Sequence, residues 1–171
     1  MIFLTVGTQF PFDRLVRAVD QAAGAGLFED PIFAQVGASD YQPRNFEFVH
    51  RLDKGAYDEK MRTAARVISH AGMGSITMAL EHGRPLLVMP RRQRFGEVVN
   101  NHQLAIAQEF EAGGYLVVAY DETELYQKLK QFRDFTPRRR LAEAAAVSGR
   151  IRGFLEEVAH GSSDRPARVG R

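Results

Sequence analysis

The chain has no cysteine, no tryptophan and no long apolar run, and its formal charge is only +2. Each absence removes a class of protein. Without cysteine there is no disulfide, no thiolate nucleophile and no cysteine-ligated metal, which fits a cytoplasmic protein without requiring one. The longest informative apolar run, residues 86–89, falls far short of the roughly 20 residues a helix needs to span a bilayer. The amino terminus carries no basic stretch and reaches Gly7 too early for a secretory leader. No Gly-x-Gly-x-x-Gly follows the first apolar stretch and no acidic residue closes the second, which argues against a dinucleotide-dependent dehydrogenase. No Asp-x-Asp or His-x-x-x-His cluster offers ligands, so no metal requirement is expected. The positive charge sits in a tail. From Thr136 onward there are eight arginines and four acidic residues, a balance of +4 against −2 for the rest. That tail lacks interleaved aromatics, so no nucleic-acid partner is expected.

What is present is ordinary for one globular domain: 44% apolar and 26% charged residues in a chain of 171. Apolar stretches at residues 2–6, 32–36, 45–49, 67–70, 85–90 and 115–119 read as strands, with helical spacing between most of them. That alternation predicts parallel βαβ units with right-handed crossovers, an α/β fold of six strands in the order 3-2-1-4-5-6. The domain is expected over residues 1–135, followed by an amphipathic helix over 136–160 and a disordered tail over 161–171.

The most informative stretch is residues 67–103. A buried strand ends at His70, and Gly72, Met73, Gly74 and Ser75 then open a helix that stops at Gly83 and Pro85. A strand feeding a glycine turn into a helix start gathers free N–H groups and the positive end of the helix dipole, which suits an anion. His70, at the strand tip, could donate to a phosphate or sugar, or simply satisfy a neighbouring carbonyl. Gly7 and Thr8 form a comparable turn after the first strand. Arg91, Arg92 and Arg94 read as a solvated basic loop by default, although arginine also suits carboxylate or phosphate recognition. Asn100 and Asn101 precede His102 and Gln103, and an N-cap role explains an asparagine there.

The joint pattern of His70, Gly72, Gly74, Ser75, Gly83, Pro85, Pro90, Arg91, Phe95, Gly96, Glu97, His102 and Gln103 resembles the nucleotide-sugar-binding half of glycosyltransferase family 28. Within it, the chain is most similar to small one-domain donor subunits. These are the bacterial exopolysaccharide PssE type and the eukaryotic subunit of dolichol-linked N-acetylglucosamine transfer. The resemblance covers roughly residues 1–129. It implies a Rossmann-like sheet, the C-terminal half of a GT-B enzyme. It implies metal-independent, inverting transfer from a UDP-sugar used as substrate, with no cofactor. The implied donor contacts are Gly7, Thr8, Gly72, Met73, Gly74, Ser75, Glu97, His102 and Gln103, with His70 as the catalytic candidate. The family's usual ribose-binding glutamate is replaced by Met78, so Glu97 or Gln103 would take that role. Leu52 and Asp53 are loose candidates for the uracil wall.

The resemblance covers the donor half of such an enzyme, and the acceptor half is expected on another chain. The resemblance therefore implies a membrane-associated acceptor-binding subunit, a lipid-diphosphate-linked acceptor, and a cytoplasmic protein held at the inner membrane face through that partner. A non-catalytic nucleotide-sugar-binding regulator is the alternative.

Overall fold

The computed structural model describes residues 1–137. Six parallel strands form one sheet in the order β3-β2-β1-β4-β5-β6, as the apolar pattern predicts. In chain order the elements are β1 (Ile2–Thr5), α1 (Asp13–Gly24), β2 (Ile32–Gln35), β3 (Glu47–Val49), α2 (Lys54–Thr63) and β4 (Arg66–His70). There follow α3 (Met73–Glu81), β5 (Leu86–Met89), a single 3₁₀ turn (Gln93–Phe95), α4 (His102–Ala112), β6 (Val117–Val118) and α5 (Glu122–Asp134). The amphipathic helix and tail expected beyond Pro137 lie outside the described residues. None of the described helices is long and apolar enough to cross a membrane.

The central strands are buried on both faces, which is why they read as apolar runs instead of alternating. Leu4, Ile68 and Leu87 face one layer, where they pack with Leu15, Val16 and Val19 of α1 and Leu125 and Leu129 of α5. Phe3, next along β1, turns to the opposite face and meets Tyr57 of α2 edge-on at 5.6 Å. Burying a side chain of this size contributes about 1.5–3 kcal/mol, so the sheet is held mainly by its central strands.

One connection departs from the βαβ rule. β2 and β3 are parallel neighbours, yet no helix lies between them. A buried carboxylate does the positioning instead. Asp20 of α1 accepts hydrogen bonds from the Tyr41 hydroxyl (2.7 Å) and the backbone N–H groups of Arg44 (3.0 Å) and Asn45 (2.8 Å). Burial alone would raise the Asp20 pKa, but these donors outweigh it and hold the carboxyl below its usual range. The polar stretch after β2 is thereby fixed over α1, and the chain returns in the same direction without a helix.

Candidate functional site

With this strand order, the direction of winding reverses between β1 and β4. Connections leave β1 towards β2 and leave β4 towards β5, so their first turns part and open a crevice at the carboxyl ends. Gly7 and Thr8 lie on one side of it, and His70 to Ser75 on the other.

His70 lies between the two turns. Its ring approaches Gly7 so closely that a Cβ there would sit 3.0 Å from Cε1, and a Cβ at Gly72 would collide with Nε2. Gly7 also has φ +73°, a conformation that glycine adopts freely. Glycine is thus favoured at position 7 by its backbone conformation, while a side chain at position 72 would have to displace the imidazole. Burial, reinforced by the nearby Arg91 charge, lowers the His70 pKa to about 4, with a hydrogen bond to the Thr5 backbone acting the other way. By hydrogen-bond geometry Nδ1 has no partner among the described residues, so the Thr5 effect is weak and the ring is neutral at pH 7.

Across the crevice, Gly72 occupies the N-cap of α3 with no side-chain cap. The first helical bond runs from the Ile76 N–H to the Gly72 carbonyl at 3.0 Å. The N–H groups of Met73, Gly74 and Ser75 precede it and lie at the positive end of the helix. A Cβ at Gly74 would meet open space, so the approach is clear. Ser75 differs from the others: its side chain is buried, and its Oγ lies 3.2 Å from the Tyr57 hydroxyl. Thr8 is exposed.

The β5–α4 loop is more tightly built than its basic composition predicts. Arg91 is 3% exposed and is not a solvated loop residue. Its Nη2 donates to the carbonyls of Val6 and Phe10, both at 2.6 Å, and its backbone N–H donates to Gln103 Oε1 at 3.1 Å. The buried Gln103 amide therefore already spends its carbonyl within the protein. Glu97 is likewise committed. Its carboxylate takes a two-pronged contact from Arg14, at 2.8 and 3.0 Å, and the Arg92 N–H at 2.8 Å. A ribose would have to compete with these three bonds, so the structure gives Glu97 a loop-fixing contact. Arg92 donates to the Tyr120 carbonyl, and Arg94 lies over the exposed Phe95 ring.

His102 begins α4, and its ring pairs through Nδ1 with the Asn100 side chain. Burial lowers its pKa. Asn101 is the N-cap residue but makes no side-chain cap; its Oδ1 instead accepts the Gln93 N–H at 2.9 Å. Asp53 caps α2 through the Ala56 N–H, which accounts for it without a uracil. Met78 is half-buried on α3.

Three contributors carried no local signal. Gln35, buried at the end of β2, accepts the Leu52 N–H at 3.0 Å and ties the turn after β3 to the edge. Tyr57 reaches Ser75, and Arg14 reaches Glu97, 83 positions away. A cavity of about 660 Å³ beside α1 is lined by Asp13, Arg17, Tyr41 and Arg44 among others, and none of the glycine turns borders it.

This geometry can be set beside known proteins. The glycosyltransferase family 28 C-terminal domain matches residues 1–158. The human UDP-N-acetylglucosamine transferase subunit ALG13 is 33% identical over 125 residues, covering 67% of this chain and 10% of that protein. The chain thus spans about a tenth of that curated relative. Two solved structures share the fold. The NMR structure of ALG13 gives a TM-score of 0.54 at 22% identity, covering 80% of this chain and 87% of that one. Os79 from O. sativa in complex with UDP gives 0.58 at 17% identity, covering 78% and 32%. On the extent of the family match and the sheet order together, the chain belongs to the glycosyltransferase family 28 C-terminal domain family.

Proposed function

We propose that the chain is the donor-binding subunit of a UDP-sugar-dependent glycosyltransferase, completed by a membrane-associated acceptor-binding partner. The observation that carries this reading is the uncapped amino end of α3 facing the Gly7 turn across the β1/β4 crevice. Likeness to a protein named as a UDP-N-acetylglucosamine transferase subunit supports a UDP-sugar donor and a second subunit.

In the proposed reaction an acceptor hydroxyl attacks the anomeric carbon from the face opposite the diphosphate. The bond between that carbon and the β-phosphate oxygen breaks, and the configuration inverts. Negative charge grows on the departing diphosphate, where the Met73, Gly74 and Ser75 N–H groups already point, so little reorganisation is needed. His70, neutral at pH 7, contributes a hydrogen bond and keeps the two turns apart. Gly7 and Thr8 close the other side of the diphosphate, and His102 and the free end of Gln103 meet the sugar. The acceptor's proton passes to a base on the partner, which also holds a lipid-diphosphate-linked acceptor at the cytoplasmic membrane face. The transfer needs no metal, and the sugar is N-acetylglucosamine or, in an exopolysaccharide setting, glucuronate.

The test is calorimetry with UDP, UDP-N-acetylglucosamine and UDP-glucuronate, followed by transfer assays with the partner co-expressed, with and without EDTA. Binding by the chain alone, with EDTA-resistant transfer only in the complex, is expected. Saturable binding with no transfer by the complex would favour a regulatory subunit instead.

A further inference from the structure

Arg91 is a buried cation without a matching anion among the described residues. Among the described residues, the carboxylate that acts on it is Glu97, whose oxygens are held by Arg14 and by the Arg92 N–H. Glu97 therefore acts on Arg91 at range only. Two carbonyls take Nη2, while Nε is buried with no partner among the described residues. The face of Phe12, 5.1 Å from the guanidinium carbon, adds a weak compensating contact. Burying a charge is costly unless it is paired and fully hydrogen-bonded. Consistently, desolvation lowers the Arg91 pKa to about 10.

The position matters as much as the deficit. Val6 and Phe10, whose carbonyls Arg91 holds, bracket the 7–9 turn that borders the crevice. His70, on the other side of the crevice, feels the same charge. Gln103 fixes the backbone of Arg91, so its carbonyl end acts through Arg91.

We propose that Arg91 supplies the positive charge that the donor's diphosphate neutralises, from beneath the 7–9 turn. This role rests on the donor-binding reading above and assigns the diphosphate a second cationic partner, independent of the α3 amino end. It also explains why a buried arginine stands here without a carboxylate: the anion arrives with the substrate. A carboxylate in its place would fold well and bind donor poorly.

The test uses the full chain with UDP, inorganic pyrophosphate and uridine as probes, comparing wild type, Arg91→Met and Arg91→Lys by calorimetry. Arg91→Met is expected to lose at least tenfold in affinity for UDP and pyrophosphate and to keep its uridine affinity, while Arg91→Lys recovers part of the loss. Should Arg91→Met fail to fold, the Nε–Hε resonance of Arg91 in wild type gives the same answer. It should shift on adding UDP or pyrophosphate and stay put with uridine. A folded Arg91→Met that binds UDP within twofold of wild type would overturn the proposal. So would an equal loss for uridine and UDP, which marks a mere loop clamp, or an unmoved Nε–Hε signal. Wild type that binds none of the three probes would instead sink the donor-binding reading itself.

Discussion

Two kinds of helix start occur in this chain. α2 and α5 begin with Asp53 and Asp121, whose carboxylates accept the Ala56 and Glu124 N–H groups. α1, α3 and α4 begin with Phe12, Gly72 and Asn101, and none of these makes a side-chain cap. A carboxylate cap satisfies the orphan donors and cancels the local positive potential. Its absence leaves both available at α3, whereas at α4 Asn100 Oδ1 accepts the His102 N–H at 3.3 Å. The closed starts follow β3 and β6, the outer strands; the open ones follow β1, β4 and β5, at or next to the crevice. On the proposed reading, the difference separates helix ends that serve stability from ends left free for a ligand.

The strongest way to break the comparison is to close the open end. Gly72→Asp places a carboxylate at the α3 start and a Cβ against the His70 ring. UDP affinity should fall by about a hundredfold, the scale of losing hydrogen bonds to a charged group, about 1.5–3 kcal/mol. Calorimetry on the folded variant measures it, and unchanged affinity would erase the distinction between the two kinds of start.

The next effect reads the neutral ring at the open end. His70 titrates near 4 when folded and ordinarily near 6.5. Its contribution is therefore complete above pH 6.5 and is lost as pH falls, because the unfolded chain takes up the proton first. Across that window the loss amounts to about 3 kcal/mol. Urea titrations of His70→Asn should lack this acid slope between pH 6.5 and 4. The lowered Asp20 pKa acts only further down, below its ordinary 3.8.

Away from the edge, Asp20→Ala removes an acceptor from the Tyr41 hydroxyl and two backbone N–H groups at once. It should cost about 2 kcal/mol in urea unfolding while leaving UDP affinity unchanged. The smallest effect belongs to the closed starts. Asp53→Ala or Asp121→Ala should each cost about 1 kcal/mol of stability and nothing in donor binding. A loss of UDP binding on removing either cap would place the site elsewhere.

The glycine turns and the helix stop at Gly83 were legible because each is a local rule, and the parallel sheet because strands and helices alternate along the chain. Apolar runs mark the buried strands, and a glycine between strand and helix marks an open start. The loop after β5 was not legible. Three arginines within four residues read as solvated, yet Arg91 finds carbonyl acceptors 81 and 85 positions away, and Glu97 finds Arg14 at a distance of 83. Charge burial of that kind depends on which distant groups the fold brings close. The short gap between β2 and β3 was legible, but its anchor was hidden for the same reason, since Asp20 sits on a helix and shows no sign of serving a loop 21 to 25 positions later. Asn101 misled in the opposite sense. It is the N-cap residue, but the Gln93 N–H takes its side chain, and Asn100 accepts the His102 N–H instead.

The central claim is that the uncapped α3 start holds a diphosphate, and backbone amide NMR during a UDP titration reads those groups directly. The largest shifts should fall on Met73, Gly74 and Ser75, with a second set at Gly7 and Thr8 and none at Ala56 or Glu124. Saturable UDP binding that leaves residues 73–75 unmoved would contradict it.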